Sequence, residues 1–402
     1  MNDAPASGTR VPALPRFALF EYGFRPFFLM AGVAAVVIVP AWLYLLDHAS
    51  AFGRLPMMSW HAHEMIYGFV MAAVAGFMLT AVPSWTGARG FRGIALIALV
   101  VLWLAGRIAM ATLGTVPFLL TTVVELSFAP ALALLLLPPL LRSANRNVML
   151  LAVLGALWII DIVFLLALRD ADAALASRAM TLAIDIVLIL VTIIGGRIVP
   201  AFTANAIRRL GAEPRIVSRR WLETAVIAFM IAIALADGFA LPAWIVGTLA
   251  GLAALAHLAR LAGWRSFKTG GESILWVLHV GYAWLPVGLA LKACWWLGGL
   301  DFAAKWQHAL TVGVFGTMIL AVMTRASLGH TGRPLAVSRV ITLAYLLLTG
   351  AALLRVLSAV ASAGHYTLMV RVAGCAWTLA FLLYLWVYAP ILAGPRADGK
   401  PG

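Results

Sequence analysis

The sequence predicts an all-α integral membrane protein, a polytopic bundle of about twelve transmembrane helices. Of its 402 residues, 64% are hydrophobic and 11% are charged. In soluble domains about 45–50% of the residues are apolar and about 25% are charged. The apolar residues occur in runs of about twenty, the length that crosses a hydrocarbon core of about 30 Å as a helix. Because backbone in lipid must satisfy its own hydrogen bonds and the short alternating segments of a barrel are absent, helices are expected.

The apolar runs between breaking residues define twelve expected spans. They are 24–46, 62–84, 93–112, 116–140, 147–168, 177–199, 222–239, 242–263, 273–298, 305–325, 338–360 and 367–392. Residues 24–392 are therefore expected to form one transmembrane domain between a tail at 1–23, which lacks a signal-peptide pattern, and a tail at 393–402. The longest polar connection is expected between Arg197 and Arg220.

Basic residues are distributed unequally between the two sets of loops. One set contains Arg10, Arg16, Arg89, Arg92, Arg142, Arg146, Arg208, Arg209, Arg215, Arg219, Arg220, Arg265, Lys268, Arg333, Arg339, Arg396 and Lys400. The opposite set contains little beyond Arg54, Arg169, Arg178 and Lys305. The positive-inside rule then predicts that both termini are cytoplasmic. Since the basic residues flank apolar runs instead of forming a patch, the net charge of +14 does not indicate nucleic-acid binding.

An internal similarity suggests three repeats of four helices. Two regions share a histidine, a glycine five residues later and a Thr-Gly pair at equal spacing: His63, Gly68 and Thr86-Gly87, and His308, Gly313 and Thr331-Gly332. The span after each carries an arginine, Arg107 or Arg355. We interpret spans 1–4 and 9–12 as copies and spans 5–8 as a diverged third copy. The alternative is chance recurrence of small residues in membrane helices.

Histidines within the spans are the main candidates for chemistry, because polar groups in a bilayer are costly and need a reason. They fall at two levels: an outer group of His61, His63 and His308 with Glu64, and an inner group of His257, His279 and His330. Imidazole is a common metal ligand. At about 100° per residue, His61 and His63 diverge by about 200° and are expected to face different partners. The alternative, a hydrogen-bonding packing residue, is favoured for His257.

Buried charges have two readings. Arg107, Lys292 and Arg355 lie in the outer halves of their spans and either extend to the headgroups, which is favoured for Lys292, or serve groups inside the bundle. Internal salt bridges are the favoured reading for the acids, with proton relay as the alternative: Glu125, Asp161, Asp185 and Asp237.

Several soluble chemistries are excluded. Cys294 and Cys375 form no CxxCH motif, so c-type haem attachment is excluded, and a disulfide framework is not expected. The sequence has no P-loop, dinucleotide fingerprint or HExxH motif.

Ordered sequence blocks resemble the NnrS family across nearly the whole chain. The blocks are Gly23-Phe24-Arg25-Pro26-Phe27-Phe28, Trp60-His61-Ala62-His63-Glu64-Met65, 76–87, 195–203, 278–284, 308–311, 316–325 and 328–334. The resemblance implies a twelve-span bacterial inner-membrane protein that contains haem and copper and is associated with denitrification and the nitric oxide response. The histidines within the blocks become the metal-ligand candidates: His61, His63, His279, His308 and His330. The resemblance leaves the reaction, and any catalytic residue, undefined.

These observations lead to one reading and two alternatives. The reading is a membrane protein with b-type haem and copper that protects against or responds to nitric oxide. His63 and His308 are the first pair of expected haem ligands, and Arg107 and Arg355 are the candidate partners of the haem propionates. The inner histidines His279 and His330 are expected to form a second site. The alternatives are a transporter or channel for a metal ion or small molecule, and a non-catalytic sensor or assembly factor.

Overall fold

Twelve helices long enough to cross a bilayer make up the described part of the chain, residues 17–48 and 56–400 of a computed structural model. They are α1 Phe24–Asp47, α2 Met57–Thr86, α3 Ile94–Ala111, α4 Phe118–Arg142, α5 Met149–Arg169, α6 Ala173–Arg209, α7 Arg220–Gly238, α8 Ala243–Lys268, α9 Ser273–Gly298, α10 Asp301–His330, α11 Arg339–Val360 and α12 Ala363–Ala393. The twelve predicted spans are confirmed. Most of the predicted 1–23 tail, and Arg54 of the orientation argument, lie outside the described residues.

The α6 helix is about ten residues longer at its C-terminal end than predicted. It passes through Pro200 and ends at Arg209, so the polar connection that was expected to begin at Arg197 is mostly helical. Proline is tolerated within membrane helices, where neighbouring groups satisfy the freed backbone. The basic residues Arg208 and Arg209 in the last turn also suit the negative end of the helix dipole.

Four helices form the centre of the bundle. Over their most apolar windows, α2, α10, α9 and α6 are 83%, 72%, 67% and 56% buried, whereas the other helices are 33–44% buried. The outer helices expose leucine, valine and isoleucine side chains, as a surface in contact with lipid requires. Three of the four central helices are the second members of the predicted groups of four. This position supports the three-by-four interpretation, which stays a prediction.

The α2 and α10 helices share an unusual backbone. A π-helical segment follows His63 directly at Glu64–Val70, and another follows His308 at Ala309–Gly316. Trp103 Nε1 on α3 donates to the Gly68 carbonyl oxygen inside the first segment, at 3.2 Å. π-Helical turns are rare and frequently occur at functional sites. The segments therefore mark the same position in the two helices that the sequence suggested to be copies.

Close packing of α1 against α2 depends on a glycine. A Cβ atom at Gly76 would lie 2.7 Å from Phe28 Cδ1 and 3.1 Å from Phe27 Cβ. Small residues let membrane helices approach in this way.

We expect Gly76→Val to destabilise the protein by about 1–3 kcal/mol, the usual cost of overpacking a filled core. Gly155→Val on α5 is the matched control, because no atom lies within 4 Å of a Cβ at Gly155. The apparent melting temperature in detergent measures both. Equal melting temperatures for the two variants would contradict this account of the α1–α2 contact.

Candidate functional site

A cavity of about 280 Å³ lies between α1, α2, α6, α10, α11 and α12. Its ionisable lining residues are His61, His308 and Arg355. We call it the histidine cavity. Its walls are mainly apolar or aromatic and include Val39, Trp42, Met65, Ile66, Phe69, Val70, Met180, Phe315 and Trp377. The cavity therefore combines a few convergent polar groups with a hydrophobic lining, the usual composition of a small-molecule or cofactor site.

The two imidazoles in this cavity are available as ligands. The His61 ring stacks on Trp42 with centroids 4.5 Å apart, and its buried Nδ1 atom has no hydrogen-bond partner among the described residues. No residue in the described ranges hydrogen-bonds the His308 side chain either. Because buried polar atoms are nearly always paired, the unpaired Nδ1 atom of His61 indicates a missing partner.

Arg355 places a positive charge in the same cavity. Its side chain is 6% exposed, and Nη1 donates to Ser358 Oγ at 3.1 Å. The guanidinium carbon lies 5.9 Å from the centre of the Tyr366 ring. Among the described residues, no carboxylate forms an ion pair with Arg355. An anionic group in the cavity would therefore find a buried cation beside the two imidazoles.

His63 belongs to a different site, between α2, α3, α4 and α5. Its Nε2 atom lies 3.0 Å from Asp161 Oδ1 and 3.7 Å from Glu125 Oε1, and its Nδ1 atom lies 3.1 Å from Glu64 Oε1. The imidazole is fully buried. Arg107 donates to Glu64 at 2.7 Å and also to Glu125. We call these five residues the His63 cluster.

Charge balance in the His63 cluster indicates a bound proton or cation. Three carboxyl groups face one guanidinium and one imidazole, all buried or nearly so. A net negative charge without compensation is costly in a low-dielectric interior. The ligand atoms of His63, Glu125 and Asp161 all lie within 4.8 Å of one another, so they can hold a metal ion. The predicted salt bridge of Glu125 is confirmed by its contact with Arg107.

The structure therefore separates residues that the sequence prediction paired. His63 and Arg107 lie in the His63 cluster, whereas His308 and Arg355 line the histidine cavity. The histidine that shares the cavity with His308 is His61. The angle of about 200° between positions 61 and 63 of a helix accounts for this separation. That angle was visible in the sequence, but the neighbours of each face were not.

A third charged group lies between α6, α7 and α9. Lys292 is fully buried, contacts Asp237, and has its Nζ atom 3.4 Å from Asp185 Oδ1. The same atom lies 4.7 Å from the centre of the Trp306 ring. The prediction that Lys292 extends to the headgroups is therefore wrong, because two carboxylates compensate its charge inside the bundle. The salt bridges expected for Asp185 and Asp237 are confirmed.

The inner histidines have separate surroundings. His279 Nε2 lies 2.8 Å from Thr203 Oγ1, and Nδ1 lies 2.9 Å from Ser266 Oγ. The ring of His330 instead packs 6.1 Å from Tyr22 and 5.6 Å from Phe24, between centroids. The expected inner pair thus has one imidazole with both nitrogens hydrogen-bonded and another among aromatic rings.

His257 forms a hydrogen bond between helices, as the packing interpretation predicts, and its buried Nε2 atom has no hydrogen-bond partner among the described residues. Its Nδ1 atom lies 2.7 Å from the Tyr282 hydroxyl oxygen, which also accepts from Arg260 Nη1 at 2.9 Å. Arg260 in turn contacts Glu223. This network joins α7, α8 and α9.

The fold and the buried groups define a multi-pass helical membrane protein with a histidine-lined cavity and a buried histidine–carboxylate cluster that can hold a metal ion. Residues 18–396 match the family model described as NnrS protein. The chain therefore belongs to the NnrS family, and the resemblance seen in the sequence blocks is confirmed. No curated protein shows a significant match to the chain.

Proposed function

We propose that the chain is a haem- and copper-containing protein of the bacterial inner membrane that acts in the nitric oxide response and in denitrification. The family supports the biological role. The observation that carries the haem proposal is the meeting of His61, His308 and Arg355 in one apolar cavity.

These residues fit b-type haem by the chemistry of their donors. His61 and His308 would hold the iron through their imidazole nitrogens, and Arg355 would pair with a propionate. The unsatisfied Nδ1 atom of His61 and the apolar walls agree with a large hydrophobic group held by imidazoles. When bound, haem would supply one-electron chemistry and an iron that can take a diatomic ligand in place of one of the two imidazoles. The protein contributes orientation, since Trp42 stacks on the His61 ring, and exclusion of water by its aromatic lining.

The His63 cluster is the proposed place for a second metal, the copper that the family implies. His63, Glu125 and Asp161 offer one nitrogen and two oxygen donors. Such a set suits Cu(II) better than Cu(I), which prefers sulfur ligands. Glu64 contacts both His63 and Arg107 and would orient the imidazole from outside the ligand set.

Optical spectroscopy with metal analysis tests the proposed function. The protein purified from a bacterial membrane under anaerobic conditions is expected to show a Soret band that shifts on addition of nitric oxide, together with bound iron and copper. A colourless preparation free of both metals would overturn the proposal. It would favour the transporter alternative, with which the repeated groups of helices and acids such as Asp161 and Asp185 also agree. In the structure each of these two acids makes an internal contact, with His63 and Lys292 respectively.

We expect Asp161→Asn to lower copper affinity by at least about tenfold, the range seen when groups that orient metal ligands are lost, and so to reduce the copper retained through purification. The haem spectrum should remain, because Asp161 does not line the histidine cavity. Asp185→Asn is the matched control, since it removes a buried carboxylate from the Lys292 group. Elemental analysis of both variants gives the result, and unchanged copper in Asp161→Asn would remove this site from the proposal.

A further inference from the structure

A second cavity, of about 90 Å³, lies between α1, α2, α6 and α10. Every side chain that lines it is apolar, and none of them carries a hydrogen-bonding group on the cavity wall apart from the thioether sulfurs of Met318 and Met323. None of the residues proposed to hold haem or copper lines this cavity. We call it the apolar cavity.

The apolar cavity adjoins the histidine cavity. Val70 on α2 and Phe315 on α10 line both of them and form the wall between them. Along α2 the lining continues from Val70 to Val74, away from His61, and along α10 it continues beyond Phe315 in the direction away from His308. The apolar cavity therefore lies deeper along the same two helices than the imidazoles do.

The lining determines what can occupy this space. A single water needs only about 10–15 Å³, but it also needs two to four polar partners, which this wall does not offer. Apolar cavities of comparable size in proteins stay dry and bind xenon or small hydrocarbons. An ion or a polar solute would lose its hydration without compensation. A small uncharged molecule, such as a diatomic gas, has no such cost.

The position of the apolar cavity favours access from the bilayer. It lies among four membrane-spanning helices, and side chains at its edge, such as Phe77 and Val191, are only half-buried. Uncharged apolar molecules concentrate in the hydrocarbon core for the same reason that apolar side chains do. The two side chains that line both this cavity and the histidine cavity are Val70 and Phe315.

We infer that the apolar cavity is a holding site for a small uncharged diatomic molecule, which reaches the histidine cavity from the membrane past Val70 and Phe315. That the cavity holds a small uncharged molecule stands on the cavity alone, whereas the choice of a diatomic molecule rests on the proposed function. The passage to a reactive group rests on the proposed function.

Xenon binding tests the holding site without any cofactor. The 129Xe resonance of xenon added to the full-length protein in detergent is expected to show a bound population in the wild type that Val74→Trp abolishes, because Val74 lines the apolar cavity but not the histidine cavity, and the larger indole takes up the space of the former. Gly195→Leu is a second variant that fills the same cavity from α6. The nearest atoms to a Cβ at Gly195 are 3.5 Å or more away, so its backbone position accepts a side chain. Val37→Trp is the matched control on α1, since Val37 is 57% exposed to lipid.

Flash photolysis tests the passage. After photolysis of the carbon monoxide complex of the reduced protein, Val74→Trp is expected to slow bimolecular rebinding several-fold, with an unchanged Soret spectrum, whereas Val37→Trp rebinds at the wild-type rate. Identical xenon signals in the wild type and in both filled variants would overturn the holding site. Xenon binding with unaltered rebinding in the filled variants would overturn the passage. Xenon binding in a protein without haem would instead overturn the proposed function and leave the holding site standing.

Discussion

Alanine at His61 or His308 is expected to abolish haem binding, whereas alanine at His63 is expected to leave the Soret band in place. The first two imidazoles line one cavity, and the buried Nδ1 atom of His61 has no hydrogen-bond partner among the described residues, so this pair is placed to ligate iron. His63 is already held by Glu64 and Asp161 in another site. The haem-to-protein ratio of each purified variant, from its pyridine haemochrome spectrum, measures the difference.

Rescue by free imidazole distinguishes a lost iron ligand from a loss of packing at His61. His61→Gly should leave space for a free imidazole beside Trp42, and its addition is expected to restore the Soret band without restoring any side-chain packing. His330→Ala is the control, because His330 contacts Tyr22 and Phe24 and lies away from the cavity lining. Loss of haem in His63→Ala with retention in His61→Ala would instead reinstate the pairing that the sequence suggested.

Lys292→Met is expected to destabilise the protein by about 3–5 kcal/mol, the usual cost of removing one partner from a buried ion pair. The substitution leaves Asp185 and Asp237 buried without their cation. Methionine matches the lysine stem as far as Cε, so the substitution removes the ammonium, with its contact to the Trp306 ring, and little other volume. The free energy of unfolding from a detergent-denaturation titration gives the value.

Two further variants separate charge from packing. Adding Asp185→Asn and Asp237→Asn to Lys292→Met is expected to recover most of the lost stability, since the unpaired charges are gone. Arg371→Met removes the partner of Asp47 in a pair whose side chains are 54% and 50% exposed, and should cost about 1 kcal/mol or less. A loss in Lys292→Met no larger than that in Arg371→Met would contradict the role assigned to the buried lysine.

The relation between sequence and site is clearest at α2. The spacing of His61 and His63 already indicated two opposite faces, because the geometry of one helix is determined locally. The identity of the facing groups was not determined locally. Asp161 lies 98 positions from His63 in the chain, and nothing in the α5 sequence indicates which side of that helix faces α2.

The sequence by itself determined the class of protein, the twelve spans and the set of costly polar residues, because hydrocarbon admits long apolar helices and penalises every charge. The tertiary structure alone decided that His61, and not His63, joins His308, that Lys292 is compensated inside the bundle, and that α6 continues through Pro200. The physical reason is that each helix can rotate about its own axis. Membrane helices are apolar on nearly all sides, so the pattern along each one leaves its rotation unmarked, and only packing against the neighbours sets which side chains meet.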